Sequence, residues 1–241
     1  IWGAAWDMTR DAEMACGDYV ELVCSGIVVE SDISVVQTTL RQTKAAVDQY
    51  AAAANRDAYN EKMAGMLWDA ASAADPGSDH QLAFVRSFAG FAESEQDLDR
   101  VAGLVDGTLV LDGLTVDTDL RWGLRQALAA AGRVGETELA AELQRDNTAT
   151  GKRQQALALA ARPTAEAKEA AWTAVVTDGS LPNALMAATL GGFAQPRQRQ
   201  RAAPLRQPLA RDGGQQVVMA ERRRHRAERL ELPCRRGRLG A

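Results

Sequence analysis

Apolar residues recur along this chain with the period of a helix, and turn-forming residues separate the runs. The clearest run is Ile33, Val36, Leu40, Thr43, Val47 and Tyr50, spaced 3, 4, 3, 4 and 3, which places all six on one helical face. Ser31 or Asp32 stands where a cap is needed, to accept a hydrogen bond from an unpaired N–H of the first turn. A shorter stripe, Tyr19, Leu22, Val23 and Ile27, comes before it. After it, Asn55 is placed to cap a helix whose inner face is Tyr59, Met63, Met66, Leu67 and Ala70. Asp75-Pro76-Gly77 stops that helix, because proline lacks an N–H and glycine accepts positive φ. Ser78 then opens a helix with Leu82, Val85 and Phe88 inward, and Ser94 opens one with Leu98, Val101, Leu104 and Val105 inward.

The segment from Thr108 to Asp117 breaks the period. It reads either as a hairpin turning at Asp112-Gly113 or as a structured loop between helices. A lone hairpin is marginally stable, and the rest of the chain offers no strand for it to join. Helices resume with Asp117 as cap and Leu120, Leu124, Ala127 and Leu128 inward, ending at Gly132. Short helices are predicted around Leu139–Leu143 and Ala156–Ala161. A longer one runs from Pro163-Thr164 to Asp178-Gly179 with Trp172, Val175 and Val176 inward. The last runs from Leu181-Pro182-Asn183 to Gly191-Gly192. Short connections make neighbours antiparallel, and helix pairs stacked in series give an all-α, HEAT-like α-solenoid.

Composition supports helices, since aromatics are only 5% of the 241 residues and alanine is abundant. Charge divides the chain in two. The net charge of −4 combines a region 197–241 holding 13 Arg and 4 acids with a region 1–196 holding 15 basic and 28 acidic residues. The expected organisation is therefore an acidic helical domain, 1–196, and an Arg-rich tail, 197–241, poor in apolar anchors and expected to be disordered. The tail has no Ser, Thr, Asn, Lys, Ile, Phe, Tyr or Trp, the composition that a shifted reading frame of a GC-rich gene would yield.

Cys16, Cys24 and Cys234 show no ligand spacing. On one helix, Cys16 and Cys24 would stand about 12 Å apart, beyond the reach of a disulfide. Free thiols fit a reducing compartment, and no signal-peptide pattern or apolar run near 18 residues is present, so a cytoplasmic location is expected with no membrane contact.

Chemistry-bearing residues are sparse. The histidines are His80 and His225, 145 positions apart, so no helix can carry two of them at i and i+4 to hold zinc. His80 is expected beside a helix cap. Asp117 and Asp119 resemble a carboxylate pair but suit the positive end of the helix they open. Asp7, Asp11 and Glu13 read as a solvated face, and Trp2, Trp6, Trp68, Trp122 and Trp172 as core. Thr150-Gly151-Lys152-Arg153 lacks the glycine and Gly-Lys-Ser/Thr ending of a phosphate loop. Arg222-Arg223-Arg224-His225-Arg226 could neutralise phosphates but lacks base-reading partners, so a nucleic-acid partner is not expected. No catalytic, cofactor-binding or metal residue is assigned.

Four segments carry a family resemblance: the opening Trp2-Gly3-Ala4-Ala5-Trp6-Asp7-Met8-Thr9-Arg10-Asp11-Ala12-Glu13-Met14; Pro76-Gly77-Ser78-Asp79-His80-Gln81-Leu82; Gly113-Leu114-Thr115-Val116-Asp117-Thr118-Asp119-Leu120-Arg121-Trp122; and Leu181-Pro182-Asn183-Ala184. Up to about Pro196 the chain resembles the C-terminal helical domain of the bacterial M1 aminopeptidase N family, the domain class found in the endoplasmic-reticulum aminopeptidases. The resemblance implies a curved helical stack covering the active site of a zinc peptidase that removes N-terminal residues from peptides, and restricting entry to it. Zinc would belong to the parent enzyme, and the partners would be its catalytic domain and its peptide substrate. The family's His-Glu-x-x-His and Gly-Ala-Met-Glu-Asn motifs are not in this sequence, so the chain reads as a piece without the catalytic half, inactive alone. Two rival readings are a free-standing helical-repeat scaffold and a nucleic-acid-associated protein using the basic tail.

Overall fold

The computed structural model describes residues 1–178 and 181–198. Among these the chain is all-α, with eleven α-helices and no strand. They are α1 (Trp2–Arg10), α2 (Cys16–Gly26), α3 (Ile33–Ala45), α4 (Arg56–Ala73), α5 (Asp79–Phe91), α6 (Glu95–Asp106), α7 (Thr118–Ala131), α8 (Glu136–Arg145), α9 (Ala149–Ala161), α10 (Ala165–Trp172) and α11 (Asn183–Phe193).

The packing has a simple order. Helices α3, α5, α7, α9 and α11 lie side by side in one row, each against the next odd-numbered helix. The even-numbered helices α4, α6, α8 and α10 form a second row, seated on α5, α7, α9 and again α9. Each helix thus buries its apolar face against chain neighbours, as in an α-solenoid. The core runs along the seam between the rows, through Tyr19, Val36, Leu40, Met63, Phe84, Phe88, Val101, Leu120, Trp122, Leu124 and Leu139.

Most helix starts are where the sequence puts them, for the expected reason. Asp32 accepts from Ser34 N at 2.8 Å and Val35 N at 3.3 Å. Ser78 accepts from Gln81 N and Ser94 from Asp97 N, each at 3.1 Å, and Asp117 from Leu120 N at 2.7 Å. Gly107 and Gly132 end α6 and α7 in the left-handed region, at φ 76° and 80°.

The structure departs from the sequence reading at three places. Asn55 sits at the start of α4, but its side chain caps nothing, because a 3-10 turn over Ala53–Asn55 leads into the helix. The long stripe after Ile33 is interrupted where α3 passes into a π-turn, Ala46–Tyr50, closed by Ala51 N donating to Ala46 O at 3.0 Å. The wider turn inserts one residue into the register, so Val47 stays buried while Tyr50 turns outward, 44% exposed. Helix α9 starts at Ala149, well before the predicted Ala156, because Thr148 caps it by accepting from Gly151 N at 3.0 Å. Between Thr108 and Asp117, of the two readings, the structured loop is the one observed, with a tight turn at Asp112-Gly113.

The caps give a first test. Asp32→Ala should cost about 1 kcal/mol, the usual value of a lost N-cap, while Asn55→Ala should be close to neutral. Urea unfolding midpoints of both variants check it, and equal losses would contradict the observed geometry.

Candidate functional site

The most elaborated polar surface lies where α1 meets the segment between α2 and α3. Trp2 Nε1 donates to Glu30 Oε2 at 3.0 Å, and Glu30 Oε1 accepts from Asp32 N at 3.0 Å. The backbone N–H of Asp32, with the Trp2 indole second, holds the Glu30 carboxyl below its ordinary range. From α5, His80 Nε2 lies 3.0 Å from Glu30 O. A carbonyl only accepts, so Nε2 carries the proton and donates. Beside this latch is an open groove of about 400 Å³, walled by Val28, Ala70, Ala74 and Phe84 with Glu30 and His80 at its edge. Val29, also on its wall, is 86% exposed. His80 is therefore more than a cap neighbour: it ties α5 to the segment between α2 and α3 and is committed to a main-chain oxygen.

Two of the segments that carry the family resemblance meet just before the start of α5. The Pro76-Gly77 turn lies against the Asp112-Gly113 turn, with Gly77 at φ 74° and Gly113 at φ 70°. A Cβ on Gly113 would fall 2.4 Å from both Gly77 N and Pro76 C, so only glycine allows this approach. Gln81, buried, ties the two turns: Gly77 N donates to its Oε1 at 2.9 Å, and its Nε2 donates to Asp112 O at 3.0 Å.

A third cluster sits at the junction of α6, α7 and α8. Arg121 Nε and Nη2 donate to the two oxygens of Glu142 at 2.9 and 2.8 Å, while Arg121 Nη1 donates to Val105 O at 2.7 Å. Arg125 approaches the same carboxylate at 3.6 Å. Glu142 is buried, and its bonds from Arg121 pull its carboxyl below the ordinary 4.5 despite burial. Next to Arg121 on α7, Trp122 is fully buried, with Nε1 donating to Asp146 Oδ2 at 2.9 Å.

The remaining candidates fall apart as sites. Asp117 caps α7, and Asp119 is exposed in its first turn. Arg10 pairs with Asp7 at 3.2 Å and Asp11 at 3.1 Å, and Glu13 is exposed. Trp6 and Trp68 pack on the core, and Trp172 stacks near Phe193. Thr150, Gly151, Lys152 and Arg153 lie within α9, which leaves no loop to cradle a phosphate. Cys16 and Cys24 are free thiols on α2, both half-buried and raised in pKa by that burial; Cys24 Sγ lies 3.6 Å from Met63 Sδ. Cys234 and the Arg222–Arg226 run are outside the described residues. Among the described residues no three His, Cys, Asp or Glu side chains stand together in a way that could hold a metal ion. No helix there is long and apolar enough to cross a membrane.

Residues 1–207 match the family described as ERAP1-like C-terminal domain. Over 199 residues, 83% of its length, the chain is 52% identical to the protein named Aminopeptidase N from Streptomyces lividans. It spans only 23% of that relative.

Proposed function

Because the chain belongs to the ERAP1-like C-terminal domain family, we propose that it is the helical C-terminal domain of a zinc-dependent M1 aminopeptidase, covering the active site and restricting what enters. Its partner is the catalytic part of that enzyme, which supplies the zinc and the bond-breaking groups, and the substrates are peptides with free N-termini. The observation that carries this reading is the 52% identity to Aminopeptidase N, maintained over 199 residues. A cover of stacked helices suits the role physically, since excluding water strengthens the electrostatics of an enclosed site. The free thiols of Cys16 and Cys24 support a cytoplasmic location.

Grafting tests the proposal. This chain should replace the matching region of the Streptomyces lividans enzyme. The graft is expected to hydrolyse leucyl amides and to leave peptides with blocked N-termini intact. Deleting the region should lower the preference for free N-termini. If deletion and graft handle free and blocked peptides identically, the covering role fails.

A further inference from the structure

Among the described residues the four most exposed large apolar side chains are Ile1, Val29, Val110 and Val28, at 93%, 86%, 74% and 50%. All four belong to one edge of the helical body. Val28 and Val29 lie in the connection from α2 to α3, and Val110 in the connection from α6 to α7. Ile1 precedes Trp2, whose indole is bound to Glu30 in the first of these connections. The connection from α4 to α5 is tied to both. Its Gly77 packs against Gly113, and His80, in the first turn of α5, holds Glu30 O. Three successive connections thus form one continuous edge.

Apolar residues scattered over a surface are ordinary, whereas contiguous ones beside grooves mark an interface. This edge has both. The groove of about 400 Å³ beside Val28 and Val29 opens on it, and a second, of about 270 Å³, is lined by Leu109, Val110, Leu111 and Leu114. Carboxylates border the two: Glu30 and Asp75 at the first, Asp106 at the second. The one arginine in either lining, Arg121, is committed to Glu142, and neither lining has a lysine. Two copies of this chain set edge to edge would bring carboxylates together, and like charges across an interface weaken binding. The complement of this edge is an apolar surface with Lys and Arg at its margins.

We propose that this edge is where the helical body docks on the catalytic part of the parent peptidase, against an apolar surface with basic margins. The inference rests on the reading of the chain as one domain of an M1 aminopeptidase. The length of that enzyme supports it, since the chain spans only 23% of its Streptomyces lividans relative and most of such a protein lies outside it. The edge is also built before contact. Trp2 and Asp32 N hold Glu30, His80 holds its carbonyl, and Gln81 bridges Gly77 and Asp112. A surface already held in its bound shape loses little entropy on docking.

Hydrogen exchange followed by mass spectrometry tests the edge, comparing this chain alone with the chain grafted into the Streptomyces lividans enzyme in place of the matching region. Amides of residues 27–31 and 108–112 should exchange about tenfold more slowly in the graft, while those of 46–50, beyond the far end of α3, should not change. Val29→Asp combined with Val110→Asp should restore fast exchange in the graft. Both side chains face water in the chain alone, so its urea midpoint should not move. Met8→Asp, near the other end of α1, should leave the protection intact. Equal exchange in graft and free chain would overturn the docking edge, even in a graft that is active and selective and so upholds the covering role. A protected edge in an unselective graft would uphold the edge and sink that role. Protection that appears in the chain alone and grows with its concentration would overturn the proposal in favour of a second copy. Should the graft fold poorly, this chain and the rest of the relative, co-expressed as separate polypeptides, decide. Co-purification lost with the Val29→Asp, Val110→Asp pair and kept with Met8→Asp supports the edge, and no difference between the two overturns it.

Discussion

Glu142→Ala is expected to destabilise the helical body by about 3 kcal/mol at neutral pH. The carboxylate accepts both prongs of Arg121 and stands 3.6 Å from Arg125, so removing it strands the Arg121 guanidinium and leaves Arg125 with only the exposed Asp106, at 3.6 Å. Losing one partner of a buried pair typically costs about 3–5 kcal/mol. The low end applies because both arginine side chains keep 16% of their surface exposed and can draw in water. The effect should depend on pH with a definite sign. Glu142 has a depressed pKa in the folded state, so its contribution is complete above its ordinary 4.5 and disappears as pH falls through the lower folded value. Urea denaturation at pH 7 and at successively more acidic values should show the gap between wild type and variant closing. A gap of constant size would mean that Glu142 stabilises by packing and not by charge.

The second large effect belongs to Gly113. Gly113→Ala should cost about 3 kcal/mol, whereas Gly107→Ala should cost about 1 kcal/mol. The two glycines share a left-handed backbone, with φ of 70° and 76°, so the conformational penalty of a side chain is common to both. They differ in surroundings. A Cβ on Gly107 meets nothing within 4 Å, while one on Gly113 runs into the backbone of Pro76 and Gly77 at 2.4 Å. Backbone cannot rotate away as a side chain can, so the turns must separate and Gln81 must release one of them. Thermal unfolding of the two variants isolates the steric part as their difference. Equal losses would show that the turns part without cost.

Helix positions were legible because their signals are local. Asp32, Ser78, Ser94 and Asp117 each needed only their own first turn to act as caps, and Gly132 only its own φ. The π-turn at Ala46–Tyr50 was not legible, because its wider register is set by α1, α2 and α4 packing around it. Asn55 failed as a cap for the same kind of reason: a preceding 3-10 turn pre-empted it.

The clusters were the least readable features. Glu142 lies 21 positions from Arg121, on a helix whose sequence ETELAAELQR marks it no differently from its exposed neighbours Glu136 and Glu138. Lys168, in AEAKEAAW, looks like an ordinary solvated lysine and is buried only because α9 and α11 end over it. The resemblance segments, by contrast, were recognisable without their roles. Only the fold shows that Pro76-Gly77 and Gly113 belong to one contact and that His80 and Trp2 converge on Glu30.

The arrangement of helices in two rows also bears on how the chain is made. Many of the bonds that tie it together join nearby parts of the sequence, such as Trp2 to Glu30 across 28 positions, Gln81 to Asp112 across 31, Asn60 to Glu93 across 33, and Arg121 to Glu142 across 21, with His80 to Glu30 across 50 and Gln198 to Ala130 across 68 among the longer ones. Partners so close together emerge from a ribosome within a few seconds of each other, at about 5–20 residues per second. Contacts of short sequence separation also form quickly. Helices joined by such bonds can therefore find their seats while synthesis continues.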